Sequence, residues 1–88
     1  MKIYPGQIAK AVAGRDKEKY FVVLKVIDDD YCLITDGRTR KVDAPKKKKM
    51  KHLKITEHLA KNVKEKINAN EMVTNSLIKD ELRAVINI

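Results

Sequence analysis

The chain is predicted to be mainly β with α, a small barrel of short strands followed by two short helices. Three observations predict this. Apolar, β-branched runs lie at residues 7–12, 20–27, 31–35, 38–42 and 52–55, separated by turn-forming residues. After residue 55 the apolar spacing lengthens to that of a helix. The charge balance changes at the same place: residues 1–54 hold 15 Lys and Arg against 7 acids, whereas residues 55–88 hold 5 against 5.

A chain of 88 residues is expected to form one small domain with a single core and modest stability. With three Tyr, one Phe and no Trp, that core must come mainly from Val, Ile, Leu and Ala. The first run, QIAKAV, follows Pro5 and Gly6, and the second is YFVVLKVI. Asp28, Asp29 and Asp30 make the next turn. Three carboxylates crowded into one turn without distant partners are expected to be solvated rather than to hold a cation. YCLIT follows, and Asp36 with Gly37 then suits a two-residue type I′ hairpin leading into RTRKV. HLKI closes the set, and so many short strands in so short a segment imply a barrel rather than a sandwich.

Beyond it, Leu59, Ala60, Val63 and Ile67 form one helical stripe, and Ile78, Leu82 and Val85 a second. Thr74 is placed to cap the second helix. Neither helix is long enough to be stable alone, so each must bury its stripe against the other, the barrel or a partner. Residues 1–55 are thus read as a barrel containing a basic segment at 38–54, and residues 56–88 as a helical appendage.

The composition narrows the function classes. A single cysteine, Cys32, without a CxxC pair points to a reducing compartment and so to the cytoplasm. Pro5, Gly6 and Lys10 interrupt what a signal peptide would need, and no apolar run approaches membrane-spanning length. His52 and His58 are six apart, not at a metal-ligand spacing, and Cys32 sits in an apolar strand. The three glycines are too widely separated for a phosphate loop. Catalysis, a cofactor, a metal and a small-molecule substrate are therefore not expected.

The segment PGQIAKAVAGRDKEKYFVVLKVIDDDYCLITDGRTRKV, residues 5–42, resembles a KOW motif. Gly6 opens the first strand, Ala13, Gly14, Arg15, Asp16 and Lys17 form the loop, and a second apolar strand returns. The continuation RKVDAPKKKKMKHLKIT resembles the large-subunit ribosomal KOW proteins of archaea and eukaryotes and their small bacterial relatives. The likeness covers residues 5–56 and leaves the C-terminal part unexplained. It implies an SH3-like barrel that binds RNA as a component or associate of the ribosome. The chain departs from the pattern at Glu18 and Phe21, where many KOW loops carry glycine. That departure implies an altered turn and a carboxylate that weakens close approach to phosphate.

The charge pattern points the same way without the family. Residues 38–54 hold nine Lys or Arg and one acid, Asp43. Such density repels itself unless an anionic partner relieves it, and nucleic-acid phosphates do so with release of counterions. A solvated run that aids solubility and a nuclear address are the competing readings. The run's position between two strands disfavours the address.

The candidate RNA contacts are Lys10, Arg15, Lys17 and Lys19 around the first loop, Arg38, Arg40 and Lys41 after the Asp36 turn, and Lys46, Lys47, Lys48, Lys49, Lys51 and His52 in the basic run. Arg15 has in addition a planar fork suited to bases and phosphates. Tyr20 and Tyr31 read as core-edge residues before stacking residues. RNA is preferred to DNA chiefly on the family resemblance. No DNA-reading motif is visible, and scarce aromatics argue against a single-strand platform. Folded RNA, above all ribosomal RNA, is the expected partner, with ribosomal proteins as further neighbours and no membrane. The alternative is an adaptor whose barrel or helices bind a protein.

Overall fold

The computed structural model describes residues 3–86. Residues 1, 2, 87 and 88, the outer ends of the two expected segments, lie outside the described residues. Five strands, β1 (Gln7–Ala11), β2 (Tyr20–Val26), β3 (Tyr31–Thr35), β4 (Lys46–Lys49) and β5 (Leu53–Leu59), precede the helices α1 (Lys61–Asn68) and α2 (Asn75–Ile86). A 3₁₀ turn, Met50–His52, joins β4 to β5. The strands form one open antiparallel sheet in the order β4-β3-β2-β1-β5. The chain is therefore mainly β with two C-terminal helices.

Strand alternation sends successive side chains to opposite faces, and at β1 and β2 both faces are buried. Ala9, Ala11, Phe21, Val23, Cys32, Ile34 and Leu53 join Ile3 in an inner core. Ala9 lies directly opposite Phe21, so a small residue makes room for the largest buried one. Ile8 and Val22, also paired, point the other way and join Ala60, Val63, Ile78 and Leu82 in an outer core under the helices. The expected single core is thus two, one on each face of β1 and β2. That is why the run YFVVLKVI is nearly continuous in apolar residues, as strands covered on both faces are.

A register shift between Val23 and Lys25 separates the two ends of β2. Strict alternation would turn Lys25 inward and Val26 outward. With Leu24 as the extra residue, Lys25 stays on the outer side opposite Leu33, and Val26 reaches the inner core.

One turn and one helix cap match expectation. The Asp28 carboxylate accepts from the N–H groups of Asp30 and Tyr31, each at 2.8 Å, and so shapes the β2–β3 turn. The Thr74 hydroxyl accepts from the Leu77 N–H at 3.1 Å, the geometry of an N-cap on α2.

Three expectations are corrected. Residues 38–42 are a loop, not a strand. The Asp36 carboxylate gathers the N–H groups of Arg38 and Arg40 at 2.9 Å each and the Thr39 hydroxyl, while the N–H groups of Asp36 and Gly37 donate to the Arg40 carbonyl. Those bonds occupy groups that a two-residue hairpin would have offered to a ladder, and the strand that pairs with β3 is the lysine run itself. Leu59 belongs to β5, where it pairs with Gln7, and is 44% exposed rather than part of the first helical stripe. His52 lies in the 3₁₀ turn, and β5 begins one residue later and runs on past residue 55.

The helices are held to the sheet at points where side chains are missing. Gly6 (φ +93°) leaves so little room that a Cβ there would stand 2.7 Å from Lys64 Cβ on α1. At Gly37 (φ +76°) the same atom would stand 2.6 Å from the Asn75 carbonyl oxygen at the start of α2. The Asn75 side-chain oxygen accepts from the Val42 N–H at 2.8 Å, and Glu81 on α2 accepts from the Asn62 N–H at 2.8 Å, satisfying a free amide in the first turn of α1.

Candidate nucleic-acid interface

The four lysines of β4 alternate like any strand, and the alternation splits them. Lys46 and Lys48 pair with Ile34 and Cys32 and so face the inner side, while Lys47 and Lys49 pair with Leu33 and Tyr31 and face outward. Lysine is a poor strand former, but an edge strand is where it is tolerated and where it discourages pairing with another chain.

The inward pair is occupied. Lys48 is only 6% exposed, and its ammonium donates to the Ala13 carbonyl at 3.2 Å. The Lys46 ammonium donates to Asp16 Oδ2 at 2.9 Å. Asp16 is itself buried and has Arg40 at 3.6 Å and Lys19 at 4.0 Å. One carboxylate thereby gathers cations from the β1–β2 loop, the Asp36 loop and β4, so two of the expected basic groups do share one end of the sheet. They meet around an acid, however, which leaves Arg40, Lys46 and Lys48 as holders of the loop.

The Lys46 hydrogen bond holds the Asp16 carboxyl below its ordinary value of 3.8, against burial, with the charges of Lys46, Arg40 and Lys48 helping. At Asp36 burial pushes upward, but the bonds from Arg40, Arg38 and Thr39 outweigh it and its carboxyl also lies low. A carboxylate with a lowered folded pKa stabilises the fold above its unfolded value and loses that contribution as pH falls through the folded one. Urea unfolding is therefore expected to give a stability that is level from pH 7 to about pH 5 and declines below about pH 4. Asp16→Asn should be less stable at pH 7 and show a shallower acid decline, and an unchanged decline would rule out Asp16 as its source.

The outward residues form a different surface. The Lys47 ammonium stands over the Tyr31 ring, 4.5 Å from its centroid, so one face of Tyr31 is covered by a cation. The register sets Lys25, Leu33 and Lys47 in one row across three strands, with Tyr31 and Lys49 beside it. Lys25, Lys47 and Lys49 are exposed, and Lys51 in the 3₁₀ turn is exposed next to them. Among the described residues no carboxylate lies within 4.0 Å of these four ammonium groups.

Arg15 and Lys17 are exposed in the β1–β2 loop, Arg38 and Lys41 are exposed in the Asp36 loop, and His52 is half-buried. Lys10 is committed: its ammonium is 2.8 Å from Glu18 and 5.7 Å from the Tyr20 ring centroid. Sequence reasoning missed Lys25, although a lone charge inside an apolar run marks the solvent side of a strand. It also missed the role of Asp16, for which residues 13–19 offer only an acid among cations.

Glu18 has φ +75°, a conformation that costs an L side chain energy and suits glycine. Its N–H donates to the Ala11 carbonyl at 2.8 Å and the Ala11 N–H to the Lys19 carbonyl at 2.9 Å, so Glu18 and Lys19 together oppose Ala11 in a glycine-type bulge. Glu18→Gly should relieve the strain and release Lys10, raising Tm by roughly 4–8 °C. A fall in Tm would mean that the Lys10–Glu18 pair outweighs the backbone strain.

Cys32 is buried, and burial pushes its thiol up to about 11, which makes it unreactive at neutral pH. Among the described residues no group of three or more His, Cys, Asp or Glu is placed to hold a metal ion, and no helix is long and apolar enough to cross a membrane. Compared with known protein families and with curated proteins, the chain matches none.

Proposed function

We propose that this chain is a cytoplasmic RNA-binding protein of the translation apparatus, of the KOW type, that engages structured RNA such as ribosomal RNA. The observation that carries the reading is the outward surface of Lys25, Lys47 and Lys49, continued by Lys51, which is exposed and among the described residues has no carboxylate within 4.0 Å of its ammonium groups, Asp29 and Asp30 lying farther off beside Lys49 and Lys51. A rigid strand holding cations at fixed spacing binds a phosphate backbone with less ordering cost than a flexible tail. Arg15 and Lys17 in the loop before β2, and Arg38 and Lys41 in the loop after β3, are exposed and add positive charge at the other end of these strands. An SH3-like barrel is supported by the β1–β2 loop reaching β4, with Asp16 accepting from Lys46 and the Ala13 carbonyl from Lys48, and by the 3₁₀ turn that carries β4 into β5.

The direct test is binding of the full chain to a structured RNA hairpin and to a DNA duplex of equal length, across a salt series, with sedimentation of the tagged protein through ribosomal fractions. RNA binding that weakens steadily with salt, and co-sedimentation that RNase abolishes, are expected. No RNA binding even at low salt, or co-sedimentation that survives RNase, would favour the protein-adaptor reading instead.

A further inference from the structure

A groove of about 540 Å³ lies between α2, the end of the β1–β2 loop and the Asp36 loop. Tyr20, Leu82 and Ile86 give it an apolar lining, and Lys19, Arg38, Lys79 and Arg83 stand around it. Its size and make-up, apolar with a few polar groups converging on it, are those of a small-ligand site. The two acids that also line it are engaged elsewhere. Glu18 is paired with Lys10 at 2.8 Å, and the Asp36 carboxylate is filled by the Arg38 and Arg40 N–H groups and the Thr39 hydroxyl. Arg83 has only an exposed contact with Asp80 at 3.5 Å, and the Lys79 stem passes close to Gly37, its Cγ 3.1 Å from where a Cβ there would stand. Lys19 is drawn toward Asp16 at 4.0 Å, so the groove offers Arg38, Lys79 and the loosely paired Arg83 beside an aromatic ring and two aliphatic side chains.

We infer that this groove takes a single unpaired nucleotide of the bound RNA, its base against Tyr20 and Leu82 and its phosphate on Lys79, Arg83 and Arg38. The inference rests on the RNA-binding reading above. An apolar lining beside cations matches a group that is flat and stackable at one end and anionic at the other, and a base with its phosphodiester is such a group. Arg38 and Arg83 supply planar forks that meet a phosphate bidentately. Extruding a base costs least where it is already unpaired, so the groove would select RNA with a bulge or loop over a continuous duplex.

The test compares an RNA hairpin carrying a one-nucleotide bulge with its fully paired counterpart, using the full chain, Lys79→Gln with Arg83→Gln, and Lys47→Gln with Lys49→Gln. AMP, inorganic phosphate and a short Asp/Leu-rich peptide are titrated separately, with backbone amide resonances as the readout. The wild type should bind the bulged hairpin roughly 5- to 10-fold more tightly than the paired one. The α2 variant should lose that preference while retaining its affinity for the paired hairpin. The β4 variant should weaken both RNAs and keep the preference. AMP should shift amides around Tyr20, Arg38 and Lys79, and phosphate should do so less. Equal binding of both hairpins, or a bulge preference that survives in the α2 variant, overturns the inference while leaving RNA binding intact. Binding of neither hairpin overturns the RNA reading itself. An acidic peptide that displaces AMP and binds more tightly would assign the groove to a protein partner.

Discussion

Replacing Lys47 and Lys49 together with glutamine is expected to weaken structured-RNA binding roughly tenfold at moderate salt and to flatten the log-log salt dependence by nearly two, close to one per lost phosphate contact. Stability should hardly change, because both side chains are exposed on an edge strand. The neighbouring pair should behave in the opposite way. Lys46→Gln leaves the buried Asp16 carboxylate without its 2.9 Å partner, and Lys48→Gln removes the donor to the Ala13 carbonyl. Together they should cost about 3 kcal/mol of stability, since charged hydrogen bonds in buried surroundings are each worth about 1.5–3 kcal/mol. Whatever fraction stays folded should keep nearly the wild-type salt slope. Four adjacent lysines would then divide into two that bind and two that hold, alternating along the strand. Equal salt slopes for both double variants would remove β4 from the binding surface.

The second large effect concerns helix docking. Gly6→Ala and Gly37→Ala should each destabilise the fold by about 2–4 kcal/mol, which combines left-handed strain of roughly 1–2 kcal/mol with an overpacking cost of similar size. At Gly6 the new methyl would stand 2.7 Å from Lys64 Cβ and 3.2 Å from its Cα, so α1 itself must move. At Gly37 the obstacle is a backbone carbonyl of α2, which no rotamer change can clear. Gly14→Ala is the internal control. It shares a positive φ, +83°, but its added Cβ would meet only the Lys48 ammonium, at an ordinary contact distance of 3.4 Å. It should cost the strain alone, about 1–2 kcal/mol. If urea unfolding gives the same loss at all three glycines, the helices do not rest on Gly6 and Gly37 as closely as described.

The outer core gives these substitutions their weight. Ile8, Val22, Val63, Ile78 and Leu82 meet only when α1 and α2 sit down on β1 and β2. A helix pushed off the sheet exposes that whole cluster, together with the partly buried Tyr20, Leu24 and Ile67 around it.

By itself the amino-acid order determined the parts whose signal is local. β1, β2 and β3 follow short runs of apolar residues bounded by turn formers, Asp28 turns the chain with its own side chain, and Thr74 caps α2. α1 and α2 follow the spacing of Val63, Ile67, Ile78, Leu82 and Val85. The positive balance of the first 54 residues was equally plain. Tertiary structure alone decided what the lysine run is. Lysine side chains carry no preference for a strand, and residues 46–49 become one because the backbone of β3 offers them a ladder that the Asp36 loop has declined. The same pairing decides which lysines are available. Strand alternation assigns Lys46 and Lys48 to Asp16 and Ala13, more than 25 positions earlier in the chain, and leaves Lys47 and Lys49 to solvent. Local sequence records charge, whereas the partners that cancel it are set by which distant segments the fold brings into contact.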